Sequence, residues 1–224
     1  MSYEQQEQQR VADGQEEVAH LMPILRGRGS LWHRTDIPGL RAIVNSGQIR
    51  PNDGSLPSKY SPLYAGYHYG AVCLFDFDTA PLNDVYWAAR DWHKVLKDFY
   101  PVSVVLEISR QHLVPESLIE QQGKGWMPPM QVLTTGEHYR PKWIPRVEAW
   151  YRGVIPTSAI CSVTAWRWGS DDRISIGPLS SAVRAAESLE MKWRNEDEEA
   201  TARRRVEGRL NISDLFAAAR NRER

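Results

Sequence analysis

Short runs of apolar and β-branched residues most constrain the fold of this chain. "AVCLFDF" (71–77) and "VSVVLEIS" (102–109) have the length and composition of buried strands. Two further strands are predicted within 145–168, around a turn from Gly153 to Pro156, with a small helical segment near Thr157. The chain is therefore predicted to fold around a β-sheet.

A strand, a helix and a second strand are predicted at 31–49. "SLWH" is typical of a short strand, and "DIPGLRAIVNSGQI" is typical of a helix. Asp36 is the expected N-cap, Pro38 lies in the first turn, and Gly47 ends the helix. Its shared apolar face consists of Leu40, Ile43 and Val44.

The remaining segments differ in character. Residues 1–25 begin with a polar stretch predicted to be an exposed helix or a disordered arm, and 26–178 form the main domain. Within that domain, 51–70 are dense in turn residues and predict a long functional loop, and 82–96 predict a helix. Residues 179–224 predict a charged helical tail.

Composition excludes several classes of protein. The 224 residues include 28 basic and 28 acidic ones, so no global field attracts nucleic acid or an anionic membrane. The polar N-terminus does not resemble a signal peptide, and no stretch approaches the roughly 20 apolar residues of a membrane span. Cys73 and Cys161 are each interpreted as buried thiols in a reducing compartment. We therefore expect a soluble cytoplasmic protein.

Common catalytic and nucleotide-binding motifs are missing from the sequence. The six histidines have no helical pairing with one another and no HExxH motif, and the cysteines have no zinc spacing, so no metal is expected. There is no GxSxG nucleophile elbow, no GxxxxGK[ST] loop and no GxGxxG after a strand. The usual nucleotide folds are excluded.

Three segments in chain order resemble the ADP-ribosyltransferase fold. "LWHRTDIPGLRAIVNSGQIRP" resembles the first strand and helix of the poly(ADP-ribose) polymerase branch, and "YHYGAVCLFDFDTAPLNDVYWAA" resembles its second strand and helical tyrosine. "RVEAWYRGVIPTSAI" resembles the glutamate strand of DarT-type toxins that modify DNA. The resemblance spans 31 to about 160 and implies an α+β fold with a split antiparallel sheet.

The resemblance also implies a site for NAD. His33 would bond a ribose hydroxyl, Tyr86 would stack on the nicotinamide ring, and Glu148 would hold the nicotinamide ribose and polarise the acceptor. Cleavage of this glycosidic bond passes through an oxocarbenium-like state, which a nearby carboxylate stabilises. NAD would be the substrate, and no metal is required.

The sequence departs from the polymerase branch beside the histidine. Arg34 stands where that branch has a glycine, and Thr35 fits a small hydroxyl position near the same pocket. The usual tyrosine of the second strand is replaced by Leu74 or Phe75. Of the loop tyrosines, Tyr67 is the first candidate to supply the missing wall of the nicotinamide site.

Simpler structural roles remain open for these residues. His33 would otherwise be a structural strand histidine, and Tyr86 a core residue of an amphipathic helix. Glu148 lies between Arg146 and Arg152 in sequence and would otherwise form a surface ion pair. Glu107, which also lies inside an apolar strand, is the competing catalytic carboxylate.

The acceptor predicted from the resemblance is nucleic acid rather than protein. An ExE pair, typical of transfer to arginine, is missing around Glu148. Two segments rich in arginine and aromatic residues, 139–146 and 166–173, would hold a strand by stacking and phosphate contacts. The tail is a candidate surface for an antitoxin, for nucleic acid or for its own domain. An NAD hydrolase, an RNA 2′-phosphotransferase-like enzyme and a non-catalytic binding module remain alternatives.

Overall fold

The computed structural model describes most of the chain. The described residues are 2–51, 66, 69–78, 92–96, 101–119, 130–132, 136, 138–139, 143–144, 147–167, 173–176 and 179–222. The order of helices and strands in these ranges gives a mixed α and β architecture.

A seven-stranded sheet forms the centre of the fold, and every described strand pairing in it is antiparallel. The strand order is β11-β10-β4-β1-β3-β8-β5. Short strand pairs β2–β9 and β6–β7 lie outside this sheet. The strands are β1 (Leu31–Thr35), β2 (Gln48–Ile49), β3 (Val72–Phe75), β4 (Val102–Ile108), β5 (Leu118–Ile119), β6 (Gln131–Val132), β7 (His138–Tyr139), β8 (Glu148–Tyr151), β9 (Ile155–Pro156), β10 (Ile160–Arg167) and β11 (Arg173–Ile176).

The sheet is weakly connected between β1 and β3. Strand β1 pairs with β4 along all five of its residues, but the register that joins it to β3 contains the single pair Trp32–Phe75. On its other side, β3 pairs with β8 over four positions. The β1–β3 junction is therefore the place where the two parts of the sheet are held by the fewest backbone contacts.

The described residues contain four α-helices: α1 (Tyr3–Val18), α2 (Met22–Leu25), α3 (Ile37–Ser46) and α4 (Leu179–Arg222). The predicted boundaries of α3 are confirmed. The carboxylate of Asp36 accepts a hydrogen bond from the amide of Gly39, and Gly47 ends the helix with a φ of 71°. A side chain at Gly47 would be strained in this left-handed conformation, so the local sequence fixes both ends of α3.

Two apolar layers cover opposite faces of the sheet. On one face, α3 and the first turns of α4 bury side chains against β1, β4 and β10, including Leu40, Ile43, Ala186 and Leu189. On the other face, the end of α1, α2 and the segment 92–96 pack against Trp32, Phe75 and Trp166. The strand "VSVVLEI" is buried along its whole length, as its composition predicts.

Two local predictions differ from the structure. Cys161 was predicted to be buried but is exposed, because the pairing of β10 with β4 is interrupted between Ile160 and Ser162 and leaves Cys161 out of register. The end of the predicted 82–96 helix, Trp92–Leu96, is a 3-10 helix. The rest of that predicted helix lies outside the described residues.

Substitution of Gly14 tests how α1 is attached. Gly14 lies on the buried face of α1, and an added Cβ would come 2.3 Å from Nε2 of the buried His93 ring. Although alanine favours a helix, we expect Gly14→Ala to lower the free energy of unfolding by about 1–3 kcal/mol through overpacking. Urea unfolding measures this, with the exposed Glu16→Ala as the control. An unchanged or more stable Gly14→Ala protein would contradict the packing.

Candidate active site

Glu148 is a buried carboxylate held by donors from three directions. Its Oε1 accepts hydrogen bonds from the thiol of Cys73 at 2.9 Å and from the indole N–H of Trp150 at 3.2 Å. Its Oε2 accepts the backbone N–H of Ile144 at 2.8 Å. Each of these donors is uncharged, and only 5% of Glu148 is exposed. Their hydrogen bonds fix the orientation of both carboxylate oxygens.

The surroundings of Glu148 shift its proton affinity. Burial is the largest influence and raises the pKa of Glu148 above its usual value. The hydrogen bonds from Cys73, Ile144 and Trp150 and the charge of Arg34 act in the opposite direction. A carboxylate whose pKa is raised is better suited to accept a proton near neutral pH. This is the property required of a general base.

Aromatic side chains form the apolar surroundings of this carboxylate. Trp150 is fully buried, and the ring of Tyr69 lies 5.2 Å from it between centroids. Trp143 and Cys73 pack against the same cluster. Within the described part of the chain, the buried indole nitrogen of Trp143 has no hydrogen-bond partner. An unsatisfied N–H is unfavourable in an apolar cluster, and the structure describes the same situation for the buried indole N–H group of Trp92.

His33 lies at the weak junction between β1 and β3. Its Nδ1 is 3.0 Å from the backbone carbonyl of Cys73, so Nδ1 carries the hydrogen and donates it. Burial, the largest influence, lowers the pKa of His33 to about 4. The ring is therefore neutral at pH 7, and Nε2 presents a lone pair. This nitrogen can accept a hydrogen bond from a sugar hydroxyl.

The structure links His33 to Glu148 through Cys73, whose carbonyl contacts the histidine and whose thiol contacts the carboxylate. The two side chains make no hydrogen bond to each other. The strand register places Trp32, Phe75 and Glu148 opposite one another, so their side chains lie on one face of the sheet. His33 follows Trp32 on β1, and its side chain therefore leaves the backbone on the opposite face. The strands of His33 and Glu148 are separated by two strand spacings, about 10 Å.

Arg34, unlike His33, shares the face of Glu148. Its guanidinium lies 5.6 Å from the centre of the Phe75 ring and donates to the carbonyl of Val95. Its positive charge lowers the pKa of Glu148, Cys73 and His33. The residue that departs from the polymerase pattern therefore contributes to the electrostatics of the candidate site.

Thr35 supports the helix that follows β1. Its hydroxyl lies 3.3 Å from the carbonyl of Asp36, and a Cβ added to Gly39 would come 2.1 Å from Oγ1. Thr35 is therefore packed under the first turn of α3. Its described contacts do not include Glu148.

The competing carboxylate, Glu107, has different partners. Arg28 donates to it at 2.9 Å, and Ser30 and Ser162 donate from either side at 2.9 and 2.5 Å. Register places Glu107 opposite Trp32 in the same row as Glu148, three strand spacings or about 14 Å away. An ion pair with Arg28 that joins β4 to the segment before β1 is a structural arrangement. Glu148 is therefore the better candidate.

Several predicted contacts cannot be placed. Tyr67, Tyr86 and Arg146 lie outside the described residues. Of the segment 166–173, Trp166 is buried and Arg167 is paired with Glu196 on α4. Trp166 is thus not available to stack on a base, because its ring belongs to the apolar layer under the sheet.

No protein-family model, curated protein or solved structure matches this chain. The resemblance to ADP-ribosyltransferases therefore depends on the residues themselves. In the described ranges, no cluster of three or more His, Cys, Asp or Glu side chains could hold a metal ion. None of the described helices combines the length and apolar character needed to cross a bilayer.

Sequence reasoning missed the residues that surround Glu148. Trp150 could have been found, because positions two apart on a strand share a face and "EAW" is such a pair. Cys73 and Ile144 could not have been found by spacing alone. Their contacts depend on the register of β3 against β8 and on the turn before β8.

Acid stability tests the environment of His33. Because the pKa of His33 falls from 6.5 to about 4 on folding, the unfolded chain binds a proton that the folded chain resists. The stability contribution is present above pH 6.5 and is lost as pH falls towards 4. The comparison is with His33→Gln, which keeps an N–H donor and does not titrate. Between pH 7 and pH 5 we expect the free energy of unfolding of wild type to fall by about 1.5 kcal/mol more than that of the variant. Urea unfolding at both pH values measures this, and parallel pH dependence of the two proteins would contradict it.

Proposed function

We propose that this protein is an NAD-dependent ADP-ribosyltransferase that transfers ADP-ribose to a macromolecule, with nucleic acid as the favoured acceptor. One observation carries the proposal: Glu148 is a buried, oriented carboxylate two strands away from a neutral histidine, on a sheet weakly joined at the strand between them. The split-sheet resemblance implies the same order of histidine strand and glutamate strand.

The chemistry follows from the environment of these groups. When the bond from nicotinamide to ribose breaks, its electron pair leaves with nicotinamide and positive charge develops on the ribose. The Glu148 carboxylate stabilises that charge, more strongly in an apolar site than in water. The acceptor then bonds to the same carbon, and Glu148, with its raised pKa, accepts the released proton.

Other groups in the site would hold NAD. The Nε2 atom of His33 would accept a hydrogen bond from a ribose hydroxyl. The resemblance gives the loop tyrosine Tyr67 and the helical tyrosine Tyr86 roles around nicotinamide. Arg34 would favour the anionic form of Glu148 during the reaction.

Product analysis tests this proposal. The full chain is incubated with NAD labelled in its adenylate phosphate, in parallel with DNA, RNA and lysate protein. We expect the label on nucleic acid. Label on protein alone would overturn the acceptor, and free ADP-ribose without labelled macromolecule would indicate an NAD hydrolase. Intact NAD in every mixture would indicate a non-catalytic binding module.

A further inference from the structure

Cys73 occupies a position that the proposed chemistry does not yet use. In the β3–β8 register, Cys73 lies opposite Trp150, and Phe75 lies opposite Glu148. Because alternate residues share a face, Cys73, Phe75, Glu148 and Trp150 all belong to one face of the sheet. The thiol is therefore diagonal to Glu148 and reaches its Oε1.

We propose that Cys73 is a positioning residue for Glu148: the thiol of Cys73 orients the carboxylate of Glu148 and maintains it in the ionised form. The inference deepens the proposed function and rests on it for the reaction that the carboxylate performs. The contact itself does not depend on that reaction. It can therefore be tested separately.

Geometry makes the thiol a permanent donor. A carboxylate oxygen can only accept when it is ionised, so the proton between Sγ and Oε1 belongs to sulfur. Loss of that proton would place two negative charges in contact within a half-buried site. Consistent with this, burial and then Glu148 raise the pKa of Cys73 well above its usual range. Cys73 thus remains protonated wherever Glu148 is ionised.

Other ionisable groups around the pair act more weakly. Arg34 on β1 lowers the pKa of both Cys73 and Glu148, and the neutral ring of His33 contacts the carbonyl of Cys73 rather than its thiol. Tyr69 packs on Trp150, and its raised pKa keeps the phenol neutral. These groups are unchanged by substitution of Cys73, so the effect of that substitution reports on the thiol.

Thiol alkylation tests the contact without any enzymatic activity. In a Cys161→Ser background, iodoacetamide can react only with Cys73. Removing the charge of Glu148 lowers the pKa of this thiol. At neutral pH, alkylation becomes roughly threefold faster for each unit by which the pKa of a thiol falls. We expect Glu148→Gln to react at least about threefold faster, and Glu107→Gln, which alters a buried carboxylate remote from the thiol, to react at the wild-type rate.

Equal rates in all three proteins would overturn the inference, and so would equal acceleration by both substitutions. The Cys161→Ser protein with Glu148 intact provides a second measurement if a variant does not fold. The alkylation rate of Cys73 in this protein should still rise with pH beyond about 8.5, where the rate of an ordinary thiol begins to level off. A plateau at the ordinary value would also overturn the inference.

The pH dependence of NAD turnover tests the consequence for Glu148. Loss of the thiol donor raises the pKa of Glu148, so Cys73→Ala should move the acidic limb of the profile to higher pH. Cys73→Ser, which keeps an O–H donor, should remain near wild type. Equal shifts or no shift in both variants would overturn the positioning role. If wild type turns over no NAD, the proposed function fails, while alkylation still decides whether Cys73 holds Glu148.

Discussion

Glu148→Gln is expected to lower the turnover of NAD by about a thousandfold, because it removes the negative charge that stabilises the developing positive charge on ribose. The substitution keeps the size of the side chain. The comparison is made on kcat at saturating NAD, since a reduction in kcat indicates an interaction formed in the transition state.

Glu107→Gln is the matched control for this experiment. Glu107 is equally buried on the same face of the sheet, but its partners are Arg28, Ser30 and Ser162. We expect this variant to lose stability and keep its turnover when assayed below its unfolding temperature. Turnover that depends on Glu107 and not on Glu148 would show that Glu107 is the catalytic carboxylate and would contradict the role proposed for Glu148.

The stability of Glu148→Gln must be measured beside its activity. Both oxygens of Glu148 accept hydrogen bonds, whereas a glutamine amide offers one oxygen and one NH₂ group. The NH₂ group would face a donor, which costs about 1–3 kcal/mol. A thermal unfolding curve gives the fraction of protein that is folded at the assay temperature. It shows whether the loss of turnover is larger than unfolding alone would cause.

Trp32→Ala is expected to give the largest loss of stability, about 4 kcal/mol. The ring of Trp32 is fully buried, its indole N–H donates to the carbonyl of Leu25 at 3.0 Å, and its backbone forms the single pair of β1 with β3. The substitution leaves a cavity at the junction that holds the two parts of the sheet together. Because a domain has about 5–15 kcal/mol of stability, much of this reserve would be lost.

Trp32→Phe separates packing from hydrogen bonding. It keeps an aromatic ring in the apolar layer and removes the donor to Leu25, so we expect a loss of about 1–2 kcal/mol. Urea unfolding of both variants measures the difference. Equal stability of Trp32→Ala and wild type would contradict the role of Trp32 at the β1–β3 junction.

Local features were predictable from the sequence. Asp36 and Gly47 fix the ends of α3 through interactions within a few residues, and "VSVVLEI" predicts a buried strand by composition. The position of Glu148 inside an apolar strand was also predicted, and the structure shows the residue buried on β8, whereas its catalytic role was inferred from the resemblance. These inferences need no knowledge of which strands are neighbours.

Contacts that depend on register were not predictable. Cys73 and Glu148 are 75 residues apart, and one residue of slippage between β3 and β8 would turn the thiol to the other face. The exposure of Cys161 depends on an irregularity in the pairing of β10. His33 was identified by resemblance, but its neutral form and its bond to Cys73 come from the three-dimensional environment.

Release of nicotinamide is the most direct test of the central claim, because transfer and hydrolysis both begin with cleavage of the same bond. The full wild-type chain and Glu148→Gln are each incubated with NAD in the presence of DNA, RNA and lysate protein, and nicotinamide is measured over time. We expect release by wild type and about a thousandfold slower release by Glu148→Gln. No release by the folded wild-type protein, or equal release by both, would contradict an ADP-ribosyltransferase centred on Glu148.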